Sequence, residues 1–123
     1  MRMAVFASLA VATASFTAPA LAQDAKQNFQ LVNRTGYELK EVYVGPTTSD
    51  DWGDDILGQG TLENGKAVNI RFSPKVKTCN WDLKVVYTVD SSNAVWKNID
   101  LCSVDKITIH YDKDKDVTRA TFD

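Results

Sequence analysis

Cys79-Asn80-Trp81-Asp82-Leu83-Lys84-Val85-Val86-Tyr87 is the stretch on which the reading of this chain turns. Trp81, Leu83, Val85 and Tyr87 fall at alternate positions, and β-branched and aromatic residues dominate. The stretch therefore reads as a strand with those four residues on one face and Asp82, Lys84 and Val86 on the other. It begins at one of two cysteines. The other, Cys102, ends a second apolar run, Val95-Trp96-Lys97-Asn98-Ile99-Asp100-Leu101. Asp90-Ser91-Ser92-Asn93 reads as the hairpin loop between the two runs.

The cysteines take their meaning from the compartment, which the N-terminus suggests. Arg2 provides a positive charge, residues 4–17 are uncharged, small and apolar, and Ala20-Leu21-Ala22 places small residues where a signal peptidase reads. This predicts a secretory signal peptide over residues 1–22, cleaved before Gln23. The apolar run is shorter than the roughly 20 residues of a membrane-spanning helix, and Pro19 interrupts its end. No transmembrane segment is expected in the mature chain, and with no cysteine after the cleavage site no lipid anchor is expected either. The short n-region and A-x-A site have a bacterial character, which predicts a periplasmic or secreted product. In a eukaryotic host Asn33-Arg34-Thr35 would form a glycosylation acceptor.

In such a compartment the two cysteines are expected to form one disulfide, Cys79–Cys102. It closes a loop of about 24 residues and is worth roughly 3 kcal/mol in the chain-entropy model. With no C-x-x-C spacing and no histidine nearby, a redox pair or thiolate metal site is not expected.

The mature chain of 101 residues is long enough for one domain with one core. It carries 13 basic and 16 acidic residues, a formal charge of −3. That balance argues against nucleic acid and anionic membrane as partners. Residues 23–28 are polar and read as a flexible leader. Residues 29–123 then read as a succession of short strands.

Phe29-Gln30-Leu31-Val32-Asn33 is the first strand, followed by a turn at Gly36. Tyr37 to Val44 is the second. Its apolar positions change register between Leu39 and Val42, which predicts a bulge near Lys40-Glu41. Asn64-Gly65 is the strongest hairpin signal in the chain. Ala67 to Phe72 alternates with Val68, Ile70 and Phe72 inward. After the Cys79 and Ala94 strands, Lys106 to Tyr111 alternates again with Ile107, Ile109 and Tyr111 inward. Asp112-Lys113-Asp114-Lys115-Asp116 is a solvated turn, and Val117 to Phe122 closes the sheet as an edge strand. The expectation is an all-β, antiparallel two-sheet sandwich of seven or eight strands, immunoglobulin-like or transthyretin-like. A small closed barrel is the alternative.

One segment departs from this pattern: Thr47-Thr48-Ser49-Asp50-Asp51-Trp52-Gly53-Asp54-Asp55-Ile56-Leu57-Gly58. It is too polar for a strand. Asp50 or Asp51 can cap one short helical turn over Trp52–Leu57, with Trp52, Ile56 and Leu57 inward. Trp52 then either plugs one end of the sandwich or stands half-exposed as a binding aromatic. Trp81 reads as core, beside the disulfide, while Trp96 lies between charged neighbours and fits either role. Asp50, Asp51, Asp54 and Asp55 are hard oxygen ligands in a loop, the type Ca²⁺ prefers. Their spacing is not that of an EF-hand, however, and no bidentate glutamate follows; a helix cap in a solvated acidic loop, with one aspartate turned inward onto backbone N–H groups, is the favoured reading.

Taken together, Asn33-x-Thr35-Gly36, Val42-Tyr43-Val44, Trp52-Gly53-Asp54-Asp55-x-Leu57-Gly58, Leu62-x-x-Gly65, Cys79-x-Trp81-Asp82-Leu83 and Asp100-Leu101-Cys102 resemble a family of small exported bacterial proteins. The resemblance spans most of the mature chain. It implies an exported β domain and brings no catalytic residues with it.

The residues themselves point the same way. His110 is the sole histidine and alternates away from Ile107 and Ile109, toward water. None of Ser49, Ser73, Ser91, Ser92 or Ser103 lies in a nucleophile-elbow setting. A domain of this size has little room for a cleft between two catalytic carboxylates. The sequence therefore predicts a non-enzymatic binding or structural domain. Its candidate ligand residues are Trp52, Asp50, Asp51, Asp54 and Asp55, and its expected partner an envelope protein, a glycan or calcium. Two other readings are an inhibitor of an envelope hydrolase and a calcium-stabilised structural module.

Overall fold

The computed structural model describes residues 25–123. The expected signal peptide and its cleavage site lie outside the described residues. Seven strands form: β1 (Phe29–Arg34), β2 (Leu39–Pro46), β3 (Ala67–Ile70), β4 (Asn80–Tyr87), β5 (Asn93–Asp100), β6 (Lys106–Asp112) and β7 (Val117–Phe122). They build a four-stranded sheet of order β3-β1-β6-β7 and a three-stranded sheet of order β2-β4-β5. Leu31, Ile107 and Ile109 of the first sheet and Leu39, Val42, Leu83 and Val85 of the second are fully buried between them. Each such side chain contributes on the order of 2 kcal/mol relative to an exposed one. The bulge expected in β2 is present, as a register shift between Leu39 and Glu41 opposite β4.

The topology departs from the sequence reading in three respects. One neighbouring pair is parallel: β1 and β6 run side by side from Gln30 opposite Lys106 to Arg34 opposite His110. A parallel pair requires a crossover, and the chain from β2 to β5 supplies it. The order is also not that of an immunoglobulin constant-type domain, whose first strand lies at a sheet edge beside its second. Here β1 is interior and β2 belongs to the other sheet. Asn64-Gly65 forms its turn, with Gly65 at φ +85°, but it does not join two paired strands. Leu62 bridges to Leu39 of β2, whereas Ala67 pairs with Val32 of β1. The turn hands the chain from one sheet to the other.

Three side-chain amides tie the ends of the sandwich. Asn33 is completely buried. Its Nδ2 donates to the carbonyls of Tyr37 and Leu62 at 2.8 and 2.9 Å, and its Oδ1 accepts from the Thr35 N–H and hydroxyl at 3.0 and 2.7 Å. This fixes the β1–β2 turn and removes Asn33 as a glycan acceptor in the folded chain. At the other end, Gln27 is 3% exposed and its Nε2 donates to the carbonyls of Val76 and Thr78. Asn28 Oδ1 accepts the Phe72 N–H at 2.7 Å. Residues 25–28, expected as the end of a flexible leader, are therefore docked onto the body, because these amides satisfy backbone groups of the irregular 72–78 segment.

The disulfide joins Cys79 to Cys102 with Cα atoms 5.2 Å apart. It closes the β4–β5 hairpin at the end far from its loop, where the Leu101 N–H also donates to the Cys79 carbonyl at 2.8 Å. Trp81 lies in the core with its ring tilted against Phe72 and its Nε1 donating to the Thr78 carbonyl. The double variant Cys79→Ala/Cys102→Ala is expected to keep the fold and lose about 3 kcal/mol in urea unfolding. A loss well under 1 kcal/mol would show that the hairpin ends are held by the core alone.

Candidate functional site

The Thr47–Gly58 loop contains no helix, contrary to the expected helical turn over Trp52–Leu57. The reason is local hydrogen bonding that competes with helix formation. Asp55 Oδ1 accepts the N–H groups of Val42 and Leu57 at 2.9 and 3.0 Å. The Ile56 N–H donates to the Val42 carbonyl at 2.8 Å. The segment is thereby sewn to the free edge of β2. Asp51 Oδ1 accepts the Gly53 N–H at 2.9 Å, with Gly53 at φ +70°. Of the three residues expected inward, only Leu57 packs on the core; Ile56 is exposed and Trp52 half-buried.

Trp52 is not an end plug. The loop folds back over the outer face of the three-stranded sheet, and Gly45 of β2 makes this approach possible. A Cβ at Gly45 would lie 3.0 Å from the Asp51 carbonyl oxygen and 3.5 Å from Trp52 Cε3. Gly45 is paired with Asp82 of β4, so both positions point to this outer face. Lys84, two residues on, has its Nζ 6.0 Å from the Trp52 ring centre and 5.6 Å from that of Tyr43. Both are cation–π distances. The Tyr43 hydroxyl donates to Glu41 Oε1 at 2.7 Å, and this bond pushes its pKa above the ordinary value.

Beneath the loop lies a residue whose role the sequence did not reveal. Asp82 is only 6% exposed. Its Oδ1 accepts the Thr47 hydroxyl and the Asn98 N–H, both at 2.8 Å. Asn98 sits at φ +58°, in a β5 bulge where Lys97 and Asn98 together oppose Asp82. A buried carboxylate without such donors would be costly. Both donors use Oδ1, and no donor reaches Oδ2 among the described residues. Its only legible signal was an acidic residue near the start of an otherwise largely apolar strand.

Asp82, Trp52, Gly45, Ser49, Asp50 and Lys97 line a depression of about 220 Å³. Of the residues expected from sequence, Trp52 and Asp50 are brought together here. Asp51, Asp54 and Asp55 do not line it, and Asp51 and Asp55 are engaged with backbone N–H groups. The four loop carboxylates do not converge as a ligand set. Among the described residues, the one group of three or more acidic, cysteine or histidine ligand atoms within reach of one another is Cys79, Asp100 and Cys102. Its sulfurs are joined in the disulfide. No helix among the described residues is long and apolar enough to cross a membrane.

The chain matches no family model, no curated protein and no solved structure.

Three outcomes are expected from this geometry. Gly45→Ala should lift the loop, seen as a red shift of Trp52 emission with little change in far-ultraviolet circular dichroism. Asp82→Ala should lower stability by about 1–3 kcal/mol, because the Asn98 N–H and Thr47 hydroxyl lose their acceptor; a neutral result would mean water replaces it. Millimolar Ca²⁺ should leave the melting temperature unchanged, since only an ion bound to the folded state raises it.

Proposed function

We propose that this protein is an exported, non-enzymatic binding domain of the bacterial envelope that takes a hydroxyl-rich ligand, a glycan segment, against Trp52. The observation that carries this reading is the placement of a half-buried indole beside a buried carboxylate with one oxygen unused. An apolar sugar face stacks on an indole, while its hydroxyl groups donate to carboxylates such as Asp82 and Asp50 and accept from an ammonium such as Lys97. A few convergent polar groups beside an aromatic wall are the general features of a small-ligand site. Export is supported by the signal-peptide pattern of the N-terminus and by the disulfide, which oxidising compartments favour.

The non-enzymatic part of the proposal rests on the sequence reading; His110, the sole histidine, stands in register with Arg34 on one side and Arg119 on the other.

Oligosaccharides prepared from bacterial envelope, titrated against the mature protein, should quench tryptophan emission saturably. Trp52→Ala should weaken binding at least about tenfold, or about 1.4 kcal/mol, and Asp82→Asn should weaken it less while retaining the fold. If no oligosaccharide binds, and envelope extract yields the same proteins with wild type and Trp52→Ala, the loop is not the recognition surface.

A further inference from the structure

The turns β1–β2, β4–β5 and β6–β7 gather at the end of the sandwich opposite the disulfide. Each brings a tyrosine or an aspartate to one place. Tyr37 precedes β2, Tyr87 ends β4 and Tyr111 lies near the end of β6. Their ring centres are 5.6 to 6.3 Å apart, and their planes stand at 69° to 86° to one another. The three rings thus pack edge to face in one cluster, with Tyr87 buried and Tyr37 the most exposed. They line a cleft of about 200 Å³ together with Val89, Asp90 and Asp116.

The cluster is held rigidly. The Tyr37 carbonyl accepts from Asn33 Nδ2 and the Tyr37 N–H donates to Thr35 Oγ1, which fixes the backbone beneath that ring. The Tyr87 hydroxyl is hydrogen-bonded to Thr118 Oγ1 at 2.7 Å, across the two sheets. The Tyr111 hydroxyl donates to Asp116 Oδ1 at 2.6 Å, which pushes its pKa up to about 12 and keeps it protonated. Preorganisation of this kind lowers the entropy cost of binding.

Charge selects the occupant. The Ser92 hydroxyl and N–H both donate to Asp90, holding its carboxyl below the usual range and therefore ionised. Two carboxylates line the cleft and, among the described residues, no lysine, arginine or histidine does. Tyrosine faces carry negative electrostatic potential and attract a cation placed over them. The volume is below the roughly 300 Å³ at which drug-sized sites begin, so it suits a head group and not a chain. Val89, 70% exposed, leaves an apolar wall for a hydrocarbon stem.

We propose that this cleft binds a small alkylammonium ion, its cationic head against the accessible rings Tyr37 and Tyr111 and its charge balanced by Asp90 and Asp116. The site is at the far end of β4 from the Trp52 depression, and it stands or falls separately from the glycan reading.

The test titrates choline, butylammonium and the neutral tert-butyl isostere of choline into the mature protein, following tyrosine ring resonances by nuclear magnetic resonance. One or both cations should shift the Tyr37 and Tyr111 signals saturably, and the isostere should bind at least about tenfold more weakly. Which cation binds more tightly tells a quaternary from a primary ammonium ligand. Tyr37→Ala and Asp116→Asn should each weaken the cation about tenfold, whereas Trp52→Ala should leave it unchanged. Equal binding of cation and isostere, no saturable shift with either cation, or full affinity in folded Tyr37→Ala would overturn the proposal. The comparison of cation with isostere uses the unaltered chain, so it decides the matter even where a variant fails to fold.

Discussion

β4 lies between β2 and β5 and is covered on both faces. Its inner face meets the core through Leu83 and Val85, and its outer face carries Asp82 under a returning loop. A carboxylate so placed must find donors, and it finds Thr47 and the Asn98 N–H. Much of the local architecture follows from that requirement. The β5 bulge turns the Asn98 N–H toward Asp82, Thr47 anchors the start of the loop, and Gly45 leaves room for Asp51 and Trp52 above. A single buried charge thereby accounts for a left-handed asparagine and for an aromatic ring held outside the core.

The two ends of β4 are treated differently. Near its start the disulfide, Phe72 and Trp81 make an apolar and covalent closure. At its end there is no covalent tie, and side-chain hydrogen bonds hold the turns: Asn33 to the Leu62 segment, Tyr87 to Thr118, Tyr111 to Asp116. Turns held in this way present side chains in fixed positions while leaving them accessible, the usual arrangement for recognition on a rigid scaffold. Both candidate recognition features here lie on such segments, while the core between the sheets is filled mostly by aliphatic side chains, with Phe29, Trp81 and Tyr87 among them.

The alternation of apolar residues located all seven strands to within a few residues, and the split register of the second strand located its bulge. The cysteine pairing needed only the count and the compartment. The Trp52–Leu57 helical turn was misread because capping residues were weighed for a helix, when Asp51 and Asp55 satisfy backbone N–H groups in a non-helical loop and along β2. Gln27 and Asn28 looked like a loose leader because polarity marks exposure in general, and nothing local announces a carbonyl waiting 49 residues away.

What the sequence determined is the list of strands, the face each residue takes, and the one covalent bond. A period of two is a local property, dictated by the pleat, and it is written wherever a strand has one wet and one dry side. Which strands become neighbours emerged only on folding: the parallel β1–β6 pair, the burial of Asp82 under Trp52, and the meeting of Tyr37, Tyr87 and Tyr111. Those residues are tens of positions apart, and alternation says which way a side chain points without saying what stands opposite it. Partners are chosen by packing two whole sheets together, a choice that no single stretch of the chain records.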